Sequence, residues 1–397
     1  MHTEIQIAPN FYYLGGSDRR IAKFENVYPV PLGASYNCYL YIDEKTVLLD
    51  TIEAELSKGF YENLDYLLDG RKLDYLIINH MEPDHAANIG EVLLRHPETT
   101  LVMGAMAKKF LLNYFPNLKA EVLVVKEGDT LSIGKHQFTF VMAPMVHWPE
   151  VMFTYEMTEK TLFSADAFGA FGALSGPIYA NKQNFDLAEA RRYYTNIVGK
   201  YGDQVTAVLQ KAAKLDIQLI CPLHGPIHKD DIGDLLKVYT LWASYTPEDK
   251  DGVMIVYSSV YGNTANAAMA LAVAIAKQGV ENLVMYDVSK TDASYLIAES
   301  FRVNTIALVA TTYNMGVFIE MENFLHDFAN HKIRNRDIAF MENGSWAPAA
   351  KANMKKILEG LPLRYIEKEI TMASTLKEEQ MGDLEALAAQ IAATVGK

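Results

Sequence analysis

Cysteine is almost missing from this chain of 397 residues: there are two, Cys38 and Cys221. Two thiols cannot build the disulfide framework of a small secreted domain, and no C-x-x-C pair is present to hold zinc or an iron–sulfur centre. Basic charge is also short, with 36 Lys+Arg against 49 Asp+Glu and a net charge of −13 at pH 7. That excludes the basic footprint needed for nucleic acid or for an anionic membrane surface. No apolar run reaches the roughly 18–20 residues of a spanning helix. The opening MHTEIQIAPNFYYLGG lacks the basic start and apolar core of a signal peptide. The cytosol is the expected compartment. What remains is a globular composition, 50% hydrophobic and 21% charged, in a chain long enough for two domains.

The first part reads as short strands at residues 36–42, 46–50, 74–79, 100–103, 121–125, 138–142, 152–155 and 161–164, with helices at 52–68 and 105–114. Sheets covered by helices follow from this mixture. Residues 186–214 read as a long helical region broken near Gly199–Gly202, and 244–252 (SYTPEDKDG) as a linker. Beyond it, strands at 253–257, 283–287, 305–310, 338–341 and 363–367 alternate with helices, which implies a parallel sheet covered on both faces. The expected domains are 1–248 and 249–397.

The segment Asn79-His80-Met81-Glu82-Pro83-Asp84-His85 follows an apolar strand and precedes a helix. Four metal-type side chains therefore crowd one loop at a strand end, where the chain can turn several toward one point. Three further strand ends each deliver one more: His147 in PMVHWP, Asp166 in SADAFG and His224 in CPLHGP. A single His or Asp at such a place is ordinarily a cap or turn residue; four places together point to metal. Imidazole with carboxylate suits iron, manganese or zinc, and the two oxygens of Asp166 could bridge two ions. His96, His136, His228, His326 and His331 lack such company and read as surface residues.

A second constellation opens the later part. The strand at 253–257 runs into Ser258, Ser259, Val260, Tyr261, Gly262, Asn263 and Thr264, then a helix. A loop entering a helix N-terminus presents free N–H groups to a phosphate. Gly262 permits close approach, and Ser259, Asn263 and Thr264 add side-chain donors. Two later strand ends would flank a ring system: Thr311, Thr312, Tyr313, Asn314, Met315 and Gly316, and then Glu342, Asn343, Gly344, Ser345, Trp346, Ala347 and Pro348. Trp346 is a stacking or edge candidate. There is no GxGxxG for FAD or NAD.

The pattern H-x-E-x-D-H … H … D … H resembles the flavodiiron proteins, or A-type flavoproteins, over essentially the whole chain. The resemblance implies an α/β protein, with an N-terminal metallo-β-lactamase-like αββα domain and a C-terminal flavodoxin-like doubly wound parallel sheet. It implies that His80, Glu82, His147 and Asp166 hold one iron and Asp84, His85, Asp166 and His224 the other, with FMN in the later loops. Hydrolases of the same fold carry histidine where Glu82 stands; the carboxylate adds negative charge and tilts the metal from zinc toward iron redox chemistry. Tyr193 and Tyr194 enter as aromatics near a gas pocket. Val260 and Tyr261 depart from the threonines of typical flavodoxins, and the 342–348 loop from the commoner aromatic-Gly-Trp-Ser-Gly form.

The implied activity is reduction of O2 to water, of NO to N2O, or of both. Reduced FMN and a di-ferrous pair together hold the four electrons that O2 needs, and two suffice for a pair of NO molecules. The family's arrangement is a head-to-tail homodimer, or a dimer of dimers, with one chain's FMN facing the other's irons. A separate rubredoxin or flavin reductase is the expected donor. The basic stretch 332–336 (KIRNR) reads as a solvated surface run rather than a docking patch. Two rival classes are a zinc-dependent hydrolase with an accessory flavodoxin domain, and a flavodoxin-like electron carrier with a vestigial metal domain.

Overall fold

The structure is a computed structural model, and it describes residues 2–182 and 185–396. The chain divides into two compact units, Met1–Thr240 and Leu241–Lys397.

The first unit is built on two sheets. One has seven strands in the order Ile5–Ala8, Phe11–Tyr13, Tyr39–Ile42, Thr46–Leu49, Tyr75–Ile77, Thr100–Gly104, Val122–Val125. The other has five in chain order: Thr130–Ser132, Gln137–Met142, Met152–Glu156, Thr161–Phe163 and Leu219–Cys221. Alternation along a strand decides which residues meet between them: in Gln137–Met142, Phe138 and Phe140 are buried while Gln137 is exposed. These two rings join Phe11, Tyr39, Tyr41, Leu49, Ile77, Met152 and Phe163 in one core. Helix Ser57–Leu68 buries Phe60, Tyr61, Leu64 and Leu68, one stripe at helical spacing. The αββα class expected from the resemblance is what the chain adopts. In the seven-stranded sheet two strands, Ile5–Ala8 and Phe11–Tyr13, precede those expected. They are short: Ile5–Ala8 pairs with Phe11–Tyr13, which in turn joins the sheet through Tyr39–Ile42.

The helical region after residue 186 is divided as expected: Leu187–Tyr193, a wider turn over Tyr194–Val198, a tight turn at Gly199–Tyr201, then Gly202–Ala212.

The second unit is a parallel sheet in the order Leu283–Asp287, Asp249–Tyr257, Val303–Tyr313, Asp337–Asn343, with Arg364–Tyr365 and Ile370–Met372 both on the last edge. Counted within the unit this is the 2-1-3-4-5 order of flavodoxin-like sheets. Val253 to Val256 and Val303 to Ala310 are buried throughout, the near-continuous apolar pattern of strands covered on both faces. Strand Asp249–Tyr257 begins inside the stretch expected as a linker, and its ladder to the neighbouring strand is irregular between Asp249 and Val253. Arg336 departs most from expectation. It is not surface but fully buried, and its guanidinium donates to the carbonyls of Ser300, Phe301, Tyr245, Arg334 and Asn335. A fork of five N–H groups suits a cluster of carbonyl ends, and this outweighs the cost of burial.

Candidate metal centre and flavin cavity

The loop after strand Tyr75–Ile77 is fixed before it reaches its ligands. Asp50, at the end of Thr46–Leu49, accepts hydrogen bonds from Asn79 N, Asn79 Nδ2 and His80 N. Pro83 then opens the single turn Pro83–Ala86, where its missing N–H has no cost. His147, Asp166 and His224 follow strands Gln137–Met142, Thr161–Phe163 and Leu219–Cys221. All seven expected ligand residues converge.

They form two groups: His80, Glu82, His147 and Asp166, and Asp84, His85 and His224, the ligand atoms of each lying within 4.8 Å of one another. In the first, His147 Nε2 lies 2.9 Å from Asp166 Oδ2 and 3.1 Å from Glu82 Oε2, and His80 Nε2 lies 3.1 Å from Glu82 Oε2. In the second, His85 Nε2 and His224 Nε2 lie 3.4 and 3.3 Å from Asp84 Oδ2. Asp166 joins them. Its Oδ2 faces the first group, while its Oδ1 lies 3.5 Å from His85 Nε2 and 3.8 Å from His224 Nε2.

The donor set fits metal ions. His224 Nδ1 donates to the carbonyl of Ser35 at 2.8 Å, and His80 Nδ1 to Glu150 Oε1 at 2.8 Å. Each neutral ring is thereby left with its Nε2 lone pair aimed inward. His85 Nε2 and His224 Nε2 are only 2.9 Å apart, which needs a proton or a cation between them. Asp84 Oδ1 and Asp166 Oδ1 are buried without hydrogen-bond partners. Burial opposes charge on His147, Asp166 and Glu82. Even so, the carboxylates Asp166 and Glu82 raise His147 to about 9, and the surrounding histidines hold Asp166 and Glu82 well below the usual carboxylate range. Once the four imidazoles give up their protons to act as ligands, the three ligand carboxylates leave excess negative charge that dications offset.

Tyr193 and Tyr194 part company. The Tyr193 ring lies 5.5 Å from that of His224, and its hydroxyl is buried without a partner. Burial, then Asp166, Asp84 and Glu82, push it far up, so it stays a donor. Gly169 makes room: a Cβ there would sit 2.8 Å from Tyr193 Cε1. Tyr194 instead packs on Tyr239, with ring centroids 4.9 Å apart. A cavity of about 870 Å³ opens on the ligands, lined among others by Phe24, Glu25, Tyr36, Glu82, Asp84 and Trp148.

In the second unit a cavity of about 450 Å³ is lined by Ser259, Val260, Tyr261, Asn263, Thr264, Thr311, Thr312, Tyr313, Asn314, Met315, Asn343, Gly344, Ser345, Trp346, Ala347 and Ser374. It lies beyond the C-terminal ends of three adjacent parallel strands, where such sheets bind ligands. Gly262 takes φ +95° as the cap of helix Asn263–Lys277 and donates its N–H to Ser259 Oγ. The helix then starts with its first N–H groups free for an anion. Asn343 Oδ1 is buried without a partner, an atom that the polar edge of a ring would satisfy. Five residues of the expected set do not line it; Pro348 packs against Gly344. Ser258 is buried under Thr311 N, Gly262 shapes the loop, and Gly316 pairs with Tyr313 in a hairpin. Glu342 accepts from Thr371 Oγ1 and Lys351 N.

A family model described as ODP family beta lactamase matches residues 34–225. An uncharacterized protein of Methanocaldococcus jannaschii is 30% identical over 384 residues, covering 95% of each chain. The anaerobic nitric oxide reductase flavorubredoxin of Escherichia coli is 29% identical, over 96% of this chain and 79% of that one. The rubredoxin oxygen:oxidoreductase of Desulfovibrio gigas superposes with a TM-score of 0.93 at 25% identity, over 98% of both chains. The chain belongs to the flavodiiron protein family.

In this flavodiiron protein the residues that orient the ligands carry no mark in the sequence. Glu150 is three residues past His147, in HWPE, and was hidden because the chain returns it to His80 rather than to its own neighbour. Asp50 and Ser35 precede the ligand loop and act through main-chain contacts that no motif marks. Ser374 reaches the flavin cavity from the edge-strand turn. Three histidines expected at the surface are buried: His136 pairs with Asp43 at 2.7 Å, His228 with Asp231 at 2.6 Å, and His331 Nδ1 with the carbonyl of Asp327 at 2.8 Å. A partner supplied by a nearby loop or turn is what makes their burial tolerable.

Proposed function

We propose that this chain reduces O2 to water, NO to N2O, or both, at a non-haem di-iron site supplied with electrons through FMN. The observation that carries the reading is Asp166, whose two oxygens each face one of two groups of ligand atoms. The activities named for the E. coli and D. gigas relatives, nitric oxide reductase and oxygen oxidoreductase, support it. His80, Glu82, His147 and Asp166 would hold one iron, and Asp84, His85, His224 and Asp166 the other. Ser259, Asn263 and Thr264 would hold the phosphate of FMN, and the loops at 311–315 and 343–347 its ring. Bound iron and FMN supply one- and two-electron chemistry and open coordination positions.

The chain's own groups do the rest. Glu82 keeps negative charge where a hydrolase of this fold has imidazole. Tyr193, rather than Tyr194, offers a protonated hydroxyl beside the ligand carboxylates. Phe24, Tyr36 and Trp148 line the opening with apolar surface that limits water. Metal function is assigned to residues 1–248 and flavin function to 249–397.

A head-to-tail homodimer, alone or paired into a tetramer, would bring one chain's flavin to the other's irons. The exposed Tyr261, Met315 and Trp346 around the flavin cavity are the apolar surface that such a contact would cover. A rubredoxin or flavin reductase is the proposed donor and the cytoplasm the proposed location; among the described residues no helix is long and apolar enough to cross a membrane. The test is anaerobic reduction followed by rapid mixing with O2 and with NO, compared side by side, on protein of known metal content. Oxidation of flavin and iron by either gas is expected. Stoichiometric zinc with no gas consumption would overturn the reading in favour of the hydrolase. Full activity in His224→Ala would favour a flavin carrier with a vestigial metal domain.

A further inference from the structure

The two ligand groups match in composition. Each has two imidazoles, one terminal carboxylate and one oxygen of Asp166. They differ one layer out. His80 Nδ1 donates to Glu150 Oε1 at 2.8 Å, and both side chains are fully buried. The same oxygen also accepts Met81 N at 2.9 Å, so Glu150 is held from two directions. In the other group His224 Nδ1 meets only the neutral carbonyl of Ser35, and His85 Nδ1 is buried without a partner. A carboxylate behind an imidazole draws its N–H proton outward and makes the inner nitrogen a stronger donor, and a neutral carbonyl does this far less.

We infer that Glu150 makes the two metal positions electronically unequal, so that the ion held by His80, Glu82 and His147 is bound more tightly and loses its electron first. The inference rests on the di-iron reading above. It assigns Glu150 as a positioning residue that acts through His80, and it fixes the direction of the half-oxidised state: ferric at the His80 position, ferrous at the His224 position. Trp148 strengthens the effect by closing off water from His80, its ring standing edge-on at 5.4 Å.

The experiment uses full-length protein loaded with 57Fe and reduced anaerobically. Three equivalents of ferricyanide per chain remove two electrons from reduced FMN, which feeds the irons, and one from the di-ferrous pair, and become ferrocyanide. Mössbauer spectra of wild type should then show one ferric and one ferrous ion per chain. Glu150→Gln keeps the volume and still accepts from His80 and Met81, but with a neutral oxygen. It should release one of its two irons to a chelator at roughly ten- to a hundredfold lower chelator concentration, and populate the half-oxidised form less. Unchanged chelator release and an unchanged half-oxidised population would overturn the inference.

Should Glu150→Gln fail to fold, as judged by circular dichroism and denaturant unfolding of the metal-bearing unit, His224→Asn decides. Half-oxidised His224→Asn should show a wild-type ferric signal and an altered ferrous one; an altered ferric signal with a normal ferrous one would overturn the assignment. Wild-type protein that binds no iron would instead remove the di-iron reading itself.

Discussion

The four strand ends that converge on Asp166 and the three loops that line the cavity beside Trp346 hold the same place in their sheets, just beyond strand C-termini. They use that place differently. At the metal centre the chemistry lies in side chains: seven ionisable groups, drawn from loops up to about 140 residues apart, meet with their ligand atoms 2.9 to 3.8 Å from one another. At the flavin cavity it lies in backbone: a left-handed Gly262, a helix start and short polar side chains. The comparison teaches where each unit is fragile. A side-chain site fails when one charge is removed. A backbone site fails when the chain can no longer hold its path.

Removing the shared carboxylate is the largest break available. Asp166→Asn keeps the shape of the side chain but withdraws the charge that faces both groups. Gas consumption should fall by at least about a hundredfold, since loss of a ligand exceeds the usual effect of disturbing its supporting partners. FMN content should not change, because the flavin loops make no use of Asp166. Parallel iron, flavin and oxygen-electrode measurements check this, and retained activity would show that the two groups work independently of that bridge.

The matching break in the other unit is in its frame. Among the described residues Arg336 is buried in hydrogen-bond contact with carbonyls and with no carboxylate; burial first, and then the charge of Arg364, outweigh Glu248 and pull it down to about 9, still charged at neutral pH. Arg336→Leu strands those carbonyls. It should cost about 3 kcal/mol or more of the flavin unit's stability, read from denaturant unfolding followed by flavin release, with iron per chain unchanged. A smaller and more local effect is expected at Gly262, where a side chain would have free space but the wrong backbone: φ +95°. Gly262→Ala should cost about 1 kcal/mol, seen as roughly fivefold weaker FMN binding. No change would place the phosphate elsewhere than on this loop.

Legibility in the sequence follows the same division. The ligands stood out because His, Glu and Asp are unusual at the ends of apolar strands, and four such ends were visible at once. The parallel sheet was legible because strands buried on both faces read as continuous apolar runs. The support was not. Glu150, Asp50 and Ser35 act through contacts across 70, 30 and 189 positions of the chain, and nothing local distinguishes Glu150 from an ordinary loop glutamate. Arg336 failed for a related reason: a basic run looks solvated until the fold shows which carbonyls lack donors. The strands Ile5–Ala8 and Phe11–Tyr13 are too short to declare themselves without the neighbour that pairs with them.

The smallest expected effects come from carboxylates outside both sites, and they sharpen the comparison by salt. In the metal-bearing unit burial raises Asp43, but the N–H and ring of His136 and the N–H of Glu44 outweigh it and hold the group below 3.8. In the flavin-bearing unit burial raises Glu369, and Lys355 and Lys351 outweigh it and hold the group below 4.5. Both are depressed acids. Their stabilisation is therefore complete above the unfolded values, and it is lost as pH falls through the lower folded ones. Asp43→Asn and Glu369→Gln should each flatten the acid limb of stability against pH by well under about 1 kcal/mol. The His136 ring is buried against Asp43, whereas the Lys355 side chain is half exposed. In 1 M salt, where the screening length shrinks to about 3 Å, the Glu369 contribution should fade and the Asp43 contribution persist. Equal fading of the two would mean that water reaches the Asp43–His136 pair as freely as it reaches the lysines.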